Sequence, residues 1–233
     1  MNNIKSEINR ENILFEDNHL IVVNKISGVL VQGDNTGDTT LLDQIKKYLK
    51  IKYKKSGKVF LGLVHRIDRP TSGIVIFAKT SKSLIRLNKQ FQERKIKKTY
   101  WAITEKKENL KSQTIKNWLK KNKKQNKSYV YNNKIEGSKI AELKFSILRV
   151  LKNYILVEIN PITGRHHQIR AQLSDAGLII KGDLKYGSKR NNFDGSIDLH
   201  ARNISFEHPV KKKQINIEAP TPTREPWVSV FFD

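Results

Sequence analysis

The chain has 233 residues, of which 37% are hydrophobic, so it can form one substantial core but hardly two large independent domains. Lys and Arg number 45 against 22 Asp and Glu, a formal net charge of +23. Such a charge attracts polyanions, so nucleic acid or an anionic membrane is the expected partner, although a compositional bias toward Lys is an alternative origin of the charge. The absence of Cys excludes disulfides, thiolate metal sites and a Cys nucleophile.

The first 80 residues alternate short apolar strands with one helix. Residues 1–12 form a polar lead-in without a signal-peptide core, and residues 13–25 predict two strands around a turn at 16–19. Thr39 or Thr40 is predicted to cap a helix that carries Leu42, Ile45 and Leu49 on one face. The Lys-rich segment 50–58 is predicted to be solvated. Breaks are predicted at 27–28 and 33–35, and strands at 59–64 and 73–78.

The middle of the chain is the most basic part. Thr80 or Ser81 is predicted to cap a helix that bears Leu84, Leu87 and Phe91, and residues 97–104 predict a strand. Residues 105–139 are rich in Lys and Asn, which predicts long hairpin loops or a mobile basic arm. A role in gripping RNA and a merely solvated insert both remain open for this segment.

The last third predicts an antiparallel strand pair at 141–149 and 154–160, a turn at 161–164, and a helix at 166–177 that ends at Gly177. Later strands are predicted at 197–200 and 204–206. Strands dominate and helices occur singly, which predicts an α+β fold with a mixed, mainly antiparallel sheet and flanking helices and loops. No internal repeat or linker rich in Pro, Gly or Ser is present, so one domain covering 1–233 is expected.

The stretch HRIDRPTSG at 65–73 carries the strongest chemical signal. Asp68 lies between Arg66 and Arg69, and opposite charge favours the ionised carboxylate. Pro70 and the Thr-Ser-Gly that follows favour a tight, stiff connection between two apolar strands. A stiff loop can position a nucleophile or a base, but a surface salt bridge explains the same residues equally well.

This stretch closely resembles the signature of the RluA family of RNA pseudouridine synthases. The similarity continues in order along the chain, in the blocks ILFEDNHLIVVNKISG, HRIDRPTSGIVIFAK, KKTYWAI, TGRHHQIR, GDLKYG and LHARNISFEHP. The resemblance implies the pseudouridine synthase-like catalytic domain. About a dozen residues precede the first predicted strand, so we expect a single-domain member without the family's N-terminal RNA-binding module. The chain departs from the family at Ile26, His166 and Leu184-Lys185, which affects loop geometry and substrate choice rather than the reaction.

The resemblance also implies roles for individual residues. Asp68 matches the essential aspartate, Tyr100 the tyrosine that stacks on the target uracil and can act as a base, and Arg165 the arginine that pairs with the aspartate. Arg66 matches an arginine that helps displace the target base. From the residues alone, a core tyrosine is the default interpretation of Tyr100, and Arg165 could simply be solvated. RNA contacts are predicted for Arg66, Arg69, Arg170 and Lys185.

The implied reaction isomerises uridine in rRNA or tRNA, with no cofactor, metal, membrane or obligate protein partner, in a cytoplasmic protein that is expected to be a monomer. The sequence leaves open whether Asp68 attacks C1′ or removes the 2′ proton. One alternative is an RNA-binding module without catalysis, such as a ribosome-assembly factor. Another is a metal-dependent phosphoesterase that uses Asp68, His166, His167 and Asp183. Adjacent histidines on a helix point about 100° apart and chelate poorly.

Overall fold

The computed structural model describes residues 8–33, 37–108 and 110–231. Most of the polar lead-in, at 1–7, and part of the break predicted at 33–35 lie outside the described residues. The chain divides into two compact units. The first unit comprises Met1–Lys97 with Ala201–Pro220, and the second comprises Lys98–His200 with Thr221–Asp233.

The described residues form three α-helices and eleven strands, with short 3₁₀ turns between some of them. The helices are α1 (Leu41–Lys52), α2 (Ser81–Gln92) and α3 (Gln168–Asp175). The strands are β1 (Ile13–Glu16), β2 (Leu20–Lys25), β3 (Gly62–Leu63), β4 (Ser72–Ala78), β5 (Lys97–Glu105), β6 (Gln113–Asn122), β7 (Lys127–Tyr131), β8 (Lys139–Val150), β9 (Tyr154–Pro161), β10 (Leu199–Glu207) and β11 (Gln214–Glu218).

The sheet of the first unit is built on β4, in which all seven residues are buried. Strand order is β1-β2-β4-β10, with β3 also on β4 and β11 on β10. The β1–β2, β2–β4, β3–β4 and β10–β11 pairings are antiparallel. The β-branched run of β4 fits such a site because both of its faces are covered. This sheet anchors the loop that enters β4, which is the HRIDRPTSG segment.

The two helices of the first unit begin at the predicted capping residues. Thr40 accepts a hydrogen bond from the Asp43 backbone N–H, and Asp43 reciprocally binds the Thr40 N–H, so α1 starts with a capping box. Thr80 accepts from the Ser83 N–H in the same way at α2. Ile45 and Leu49 are buried along one face of α1, as the periodicity predicts.

The sheet of the second unit has the order β5-β9-β8-β6-β7, in which each of these neighbouring pairs is antiparallel. Helix α3 packs its Ile169 and Leu173 against the inward residues of β8 and β9, which include Phe145 and Val157. The opposite side carries a smaller cluster around the fully buried Trp227. The α+β class with a mainly antiparallel sheet is therefore confirmed. None of the described helices combines the length and hydropathy needed to cross a membrane.

Three predicted elements differ in the structure. Residues 105–139, expected as a loop or arm, contain β6 and β7, because buried residues alternate with exposed lysines and the Lys-rich composition hides this period of two. The helix expected from residue 166 begins at Gln168, since His167 adopts a left-handed conformation with φ of 53°. The strand expected at 59–64 is reduced to Gly62–Leu63, and Phe60 is 49% exposed.

Gly73 generates the first prediction. It has φ of +110°, and a Cβ there would overlap the backbone of Ala201. Gly73→Ala is therefore expected to lower the free energy of unfolding by at least about 2 kcal/mol, measured by urea denaturation. Gly57→Ala is the matched control, because a Cβ there meets no atom within 4 Å, and it should stay within about 0.5 kcal/mol of wild type. Equal losses in the two variants would contradict the prediction.

Candidate active site

The predicted site residues fall in both units. The first unit holds Arg66, Asp68 and Arg69 in the loop between β3 and β4. The second holds Tyr100, Arg165, Arg170 and Lys185.

The Asp68 loop is fastened to β4 and α2 through His65. The His65 Nε2 accepts a hydrogen bond from the Ile76 N–H at 3.1 Å, and the imidazole stacks on the Phe91 ring with 5.0 Å between centroids. The buried side chain of Ile67 precedes the half-buried Asp68. The Asp68 carbonyl accepts from the Thr71 N–H at 3.1 Å, which closes a tight turn. The carboxylate is thus carried on a short, internally bonded loop.

A second segment, Ser27-Gly28, holds the same loop from the other side. The Gly28 N–H donates to the Arg69 carbonyl at 2.9 Å, and the Arg69 Nε donates back to the Gly28 carbonyl at 3.0 Å. Ser27 donates to the Pro70 carbonyl at 2.8 Å. The Arg69 guanidinium also pairs with Asp38 at 3.0 Å. Arg69 is thus directed to Gly28 and Asp38, whereas Arg66 is exposed, and the contacts of both arginines with RNA remain predictions.

Lys25 is the buried centre of this arrangement. Its side chain is fully buried, and its Nζ donates to the carbonyls of Ile26, Val29 and Arg69 at 3.1, 2.8 and 3.0 Å. Three carbonyls match the three N–H bonds of an ammonium group. Burial lowers the pKa of Lys25 to about 7, and the negative charge of Asp68 partly opposes that shift. Lys25 therefore links the end of β2 to the loop that carries Asp68.

In the second unit, Tyr100 lies on β5 opposite Ile159 and packs against the core cluster beneath α3. Lys98 is two residues earlier and therefore projects from the same face of the strand. A Cβ at Gly164 would lie 3.8 Å from the Lys98 Nζ, so this amine lies beside the turn that leads to Arg165. Burial lowers the pKa of Lys98. A partly desolvated amine thus accompanies the predicted stacking tyrosine.

Arg165 is positioned by the turn before α3. Its Nε donates to the Ile140 carbonyl at 2.9 Å, and its backbone N–H donates to the Gln168 side chain at 2.9 Å. The buried Gln168 also accepts from Thr163 and donates to the Glu142 carbonyl. Arg165 lies three residues before the first residue of α3. Its backbone and side chain are both fixed.

The predicted contact of Arg170 with RNA is corrected, because the Arg170 side chain is buried. The residue is 5% exposed, and its guanidinium makes two 2.7 Å hydrogen bonds to the Asp183 carboxylate. The guanidinium also lies 5.0 Å from the ring centroid of Tyr186. A buried bidentate pair of this kind is a structural element, because breaking it would leave an uncompensated charge. Asp183 is likewise engaged with Arg170 rather than with a metal ion.

Of the two adjacent histidines, His166 binds the β6–β7 hairpin and His167 binds Tyr186. His166 contacts Ser128 at 2.9 Å through Nδ1 and Asn126 at 3.1 Å through Nε2, and His167 contacts the Tyr186 hydroxyl at 3.0 Å. The Lys185 ammonium donates to two carbonyls of the β6–β7 turn at 3.2 Å, so its contact with RNA remains a prediction. Within 8–33, 37–108 and 110–231, no group of three His, Asp or Glu side chains is arranged to hold a metal ion.

A comparison with known families decides the identity. The profile of the RNA pseudouridylate synthase family matches residues 19–175, which include Asp68, Tyr100 and Arg165. The chain belongs to this family. The resemblance to RluA-type pseudouridine synthases is thereby confirmed.

Individual relatives and solved structures agree with this assignment. Ribosomal large subunit pseudouridine synthase C is 38% identical in Buchnera aphidicola subsp. Schizaphis graminum, over 90% of this chain and 67% of the relative. The proteins of that name from Rickettsia felis and Vibrio cholerae are 33% and 34% identical, over 94% and 89% of this chain and 70% and 65% of their own length. This pseudouridylate synthase chain thus spans about two thirds of their length. Human RNA Pseudouridylate Synthase Domain Containing 4 shares the fold, with a TM-score of 0.76 and 23% identity over 91% of this chain and 89% of its own.

Sequence reasoning missed Lys25, which is buried beside the Asp68 loop, and Lys98, which is two residues before Tyr100. Lys25 is the last residue of β2 and follows an apolar run, so its side chain is buried. Three backbone carbonyls accept hydrogen bonds from its amine there. Lys98 has the period-two spacing from Tyr100 that places both on one strand face. In a chain with 45 basic residues, neither lysine stands out by composition.

Lys25 generates the second prediction. The unfolded chain keeps the Lys25 proton up to about pH 10.5, whereas the folded chain releases it near pH 7. The unfolded state therefore binds more protons in this window, and folding stability rises with pH there. Relative to Lys25→Met, the free energy of unfolding of the wild type should rise by about 1.4 kcal/mol per pH unit above pH 7, measured by urea denaturation. Below pH 6 the difference should stay constant. If the free energies of unfolding of the two proteins changed in parallel with pH, the lowered pKa of Lys25 would be contradicted.

Proposed function

We propose that this chain isomerises specific uridines of ribosomal RNA to pseudouridine. The supporting observation is the family match together with Asp68 on a loop held by Lys25, His65 and Ser27-Gly28. The relatives' name, which refers to the large ribosomal subunit, favours ribosomal RNA as the substrate. Transfer RNA is the second candidate.

The proposed reaction needs no redox partner or group donor. The N1–C1′ bond of uridine breaks, the base turns, and a C5–C1′ bond forms while the C5 proton is released and N1 gains one. Asp68 either attacks C1′ or removes the 2′ proton to start this sequence. Atoms and electrons balance within the nucleotide and water, so we propose that the enzyme acts without a cofactor.

Tyr100 and Arg165 are proposed to act on the same uridine, as the family resemblance implies. Tyr100 stacks on the uracil, and Arg165 stabilises the ionised carboxylate of Asp68. The uridine must leave its helix, which costs a few kcal/mol. Stacking on an aromatic side chain returns about 1–3 kcal/mol, and lysine contacts with phosphates supply further affinity. We propose that both units form one catalytic domain that acts as a monomer.

The Asp68 role is tested by Asp68→Asn, which keeps the shape of the side chain and removes its charge. The variant is expected to fold and bind RNA like the wild type but to form no detectable pseudouridine. The readout is tritium release from RNA labelled at uridine C5. Glu207→Gln removes an exposed carboxylate of the first unit and serves as the control, with turnover unchanged. Substantial turnover by Asp68→Asn would refute the assignment, and an inactive wild type would favour an RNA-binding module.

The Tyr100 role is tested by Tyr100→Phe, which retains the ring and removes the hydroxyl. Binding of RNA should be preserved, whereas single-turnover pseudouridine formation should slow by at least about 100-fold if the hydroxyl transfers a proton. Tyr53→Phe alters an exposed tyrosine of the first unit and is the control. A wild-type rate in Tyr100→Phe would remove the proton-transfer role and leave stacking alone.

A further inference from the structure

The β6–β7 hairpin has one face turned to the protein and one turned to solvent. Residues of the inward face, which include Asn117, Leu119 and Ser128, are buried. Asn117 binds Gln172 of α3 at 2.8 Å, and the Ser128 N–H donates to the Tyr186 hydroxyl at 2.8 Å. The inward face is thus fixed by specific hydrogen bonds as well as by packing.

The outward face carries an unusual group of aromatic side chains. Trp118 lies directly opposite Tyr131, and Lys120 lies opposite Tyr129, so all four side chains project from the same face. Tyr129 and Tyr131 are 38% and 37% exposed. We call this group, Trp118, Lys120, Tyr129 and Tyr131, the hairpin face.

Lysines surround these rings. The Lys127 Nζ lies 5.5 Å from the Tyr129 ring centroid, and the Lys134 Nζ lies 5.9 Å from the Trp118 ring centroid. Residues 113–144 contain nine lysines against two glutamates, a net charge of +7. The lysines are Lys116, Lys120, Lys121, Lys123, Lys124, Lys127, Lys134, Lys139 and Lys144, and all except the half-buried Lys127 are exposed. Such a density of positive charge suits a polyanion rather than an apolar protein partner.

The tip of the hairpin is held rigidly. Lys185 donates to the carbonyls of Gln125 and Asn126, and His166 contacts Asn126. Tyr129 donates to the Gln125 side chain at 2.5 Å. A platform that is already ordered loses little conformational entropy when a ligand binds.

We propose that the hairpin face binds unpaired nucleotides of the substrate RNA, with bases stacked on Tyr129 and Tyr131 and phosphates bound by the neighbouring lysines. The inference rests on the proposed function for the identity of the RNA. Paired bases hide their flat surfaces in the helix, whereas unpaired bases can stack on exposed rings whatever their sequence. The face lies opposite the side of the sheet that α3 covers, and Tyr100 packs on the α3 side. The nucleotides bound here are therefore not the target uridine.

The test compares the wild type with the double variant Tyr129→Ala/Tyr131→Ala. Fluorescence anisotropy measures binding to a labelled single-stranded RNA of 12 nucleotides and to the same strand annealed to its complement. Loss of stacking should weaken single-strand binding at least about fivefold and leave duplex binding within about twofold. The slope of log K against log salt should not change, because no phosphate contact is removed.

Three further variants separate stacking from charge and from general damage. Tyr129→Phe/Tyr131→Phe keeps the rings and should bind within about twofold of the wild type. Phe193→Ala removes a fully exposed aromatic side chain of the second unit and should leave binding unchanged. Lys116→Gln/Lys144→Gln should reduce the salt slope by about 1.4, since each single-strand phosphate contact contributes about 0.7. Urea denaturation confirms that each variant folds.

Single-strand binding by Tyr129→Ala/Tyr131→Ala that equals the wild type would overturn the inference, as would an equal loss of duplex binding. Turnover is measured separately, on the natural ribosomal RNA. The double variant should raise KM at least about fivefold and keep kcat within about twofold, because the face does not touch the target base. An inactive wild type would refute the proposed function, while the anisotropy result alone would still decide the inference.

Discussion

The loop that carries Asp68 depends on one buried lysine side chain. Lys25 is fully buried and donates to three backbone carbonyls, one of which belongs to Arg69, the residue after Asp68. Burying a charge is costly unless every one of its hydrogen bonds is made, and here they are made by the chain segments that must be held together. The His65 and Ser27 hydrogen bonds fasten the same loop at two further points. A carboxylate that performs chemistry needs this kind of fixed support.

The sequence predicts the main elements because local signals and tertiary structure agree. Thr40 and Thr80 cap the helices as predicted, and the apolar run of β4 is the buried strand that precedes α2. The ordered motif blocks predict the family, which the match to residues 19–175 confirms. In the first unit the loop that carries Asp68 lies between β3 and β4, where the pattern places it.

The misses have a common physical cause, since they depend on partners that are distant in sequence. The sequence around Arg170 predicts a surface cation, but Asp183, which is 13 residues later, pairs with Arg170 in the core. Arg69 turns to Asp38, which is 31 positions earlier in the chain. The many lysines of β6 and β7 obscure the strand pattern in the sequence. The few inward residues of these strands are buried by α3 and Tyr186, which are distant in sequence. The amino-acid composition of such a hairpin is dominated by its solvent-exposed residues, so it does not indicate which residues are buried.

The position of β7 also bears on association between copies of the chain. It is the last strand in the order of the second unit, so one row of its peptide groups has no neighbouring strand in that order. Open strand edges are templates for association with other chains, and short length and lysines are the usual protection. β7 has five residues, with Lys127 at its start and Lys123 and Lys124 just before it. The lysines that we propose to attract a nucleic acid therefore also place like charges at the edge where a second copy of the chain would pair, which disfavours such pairing.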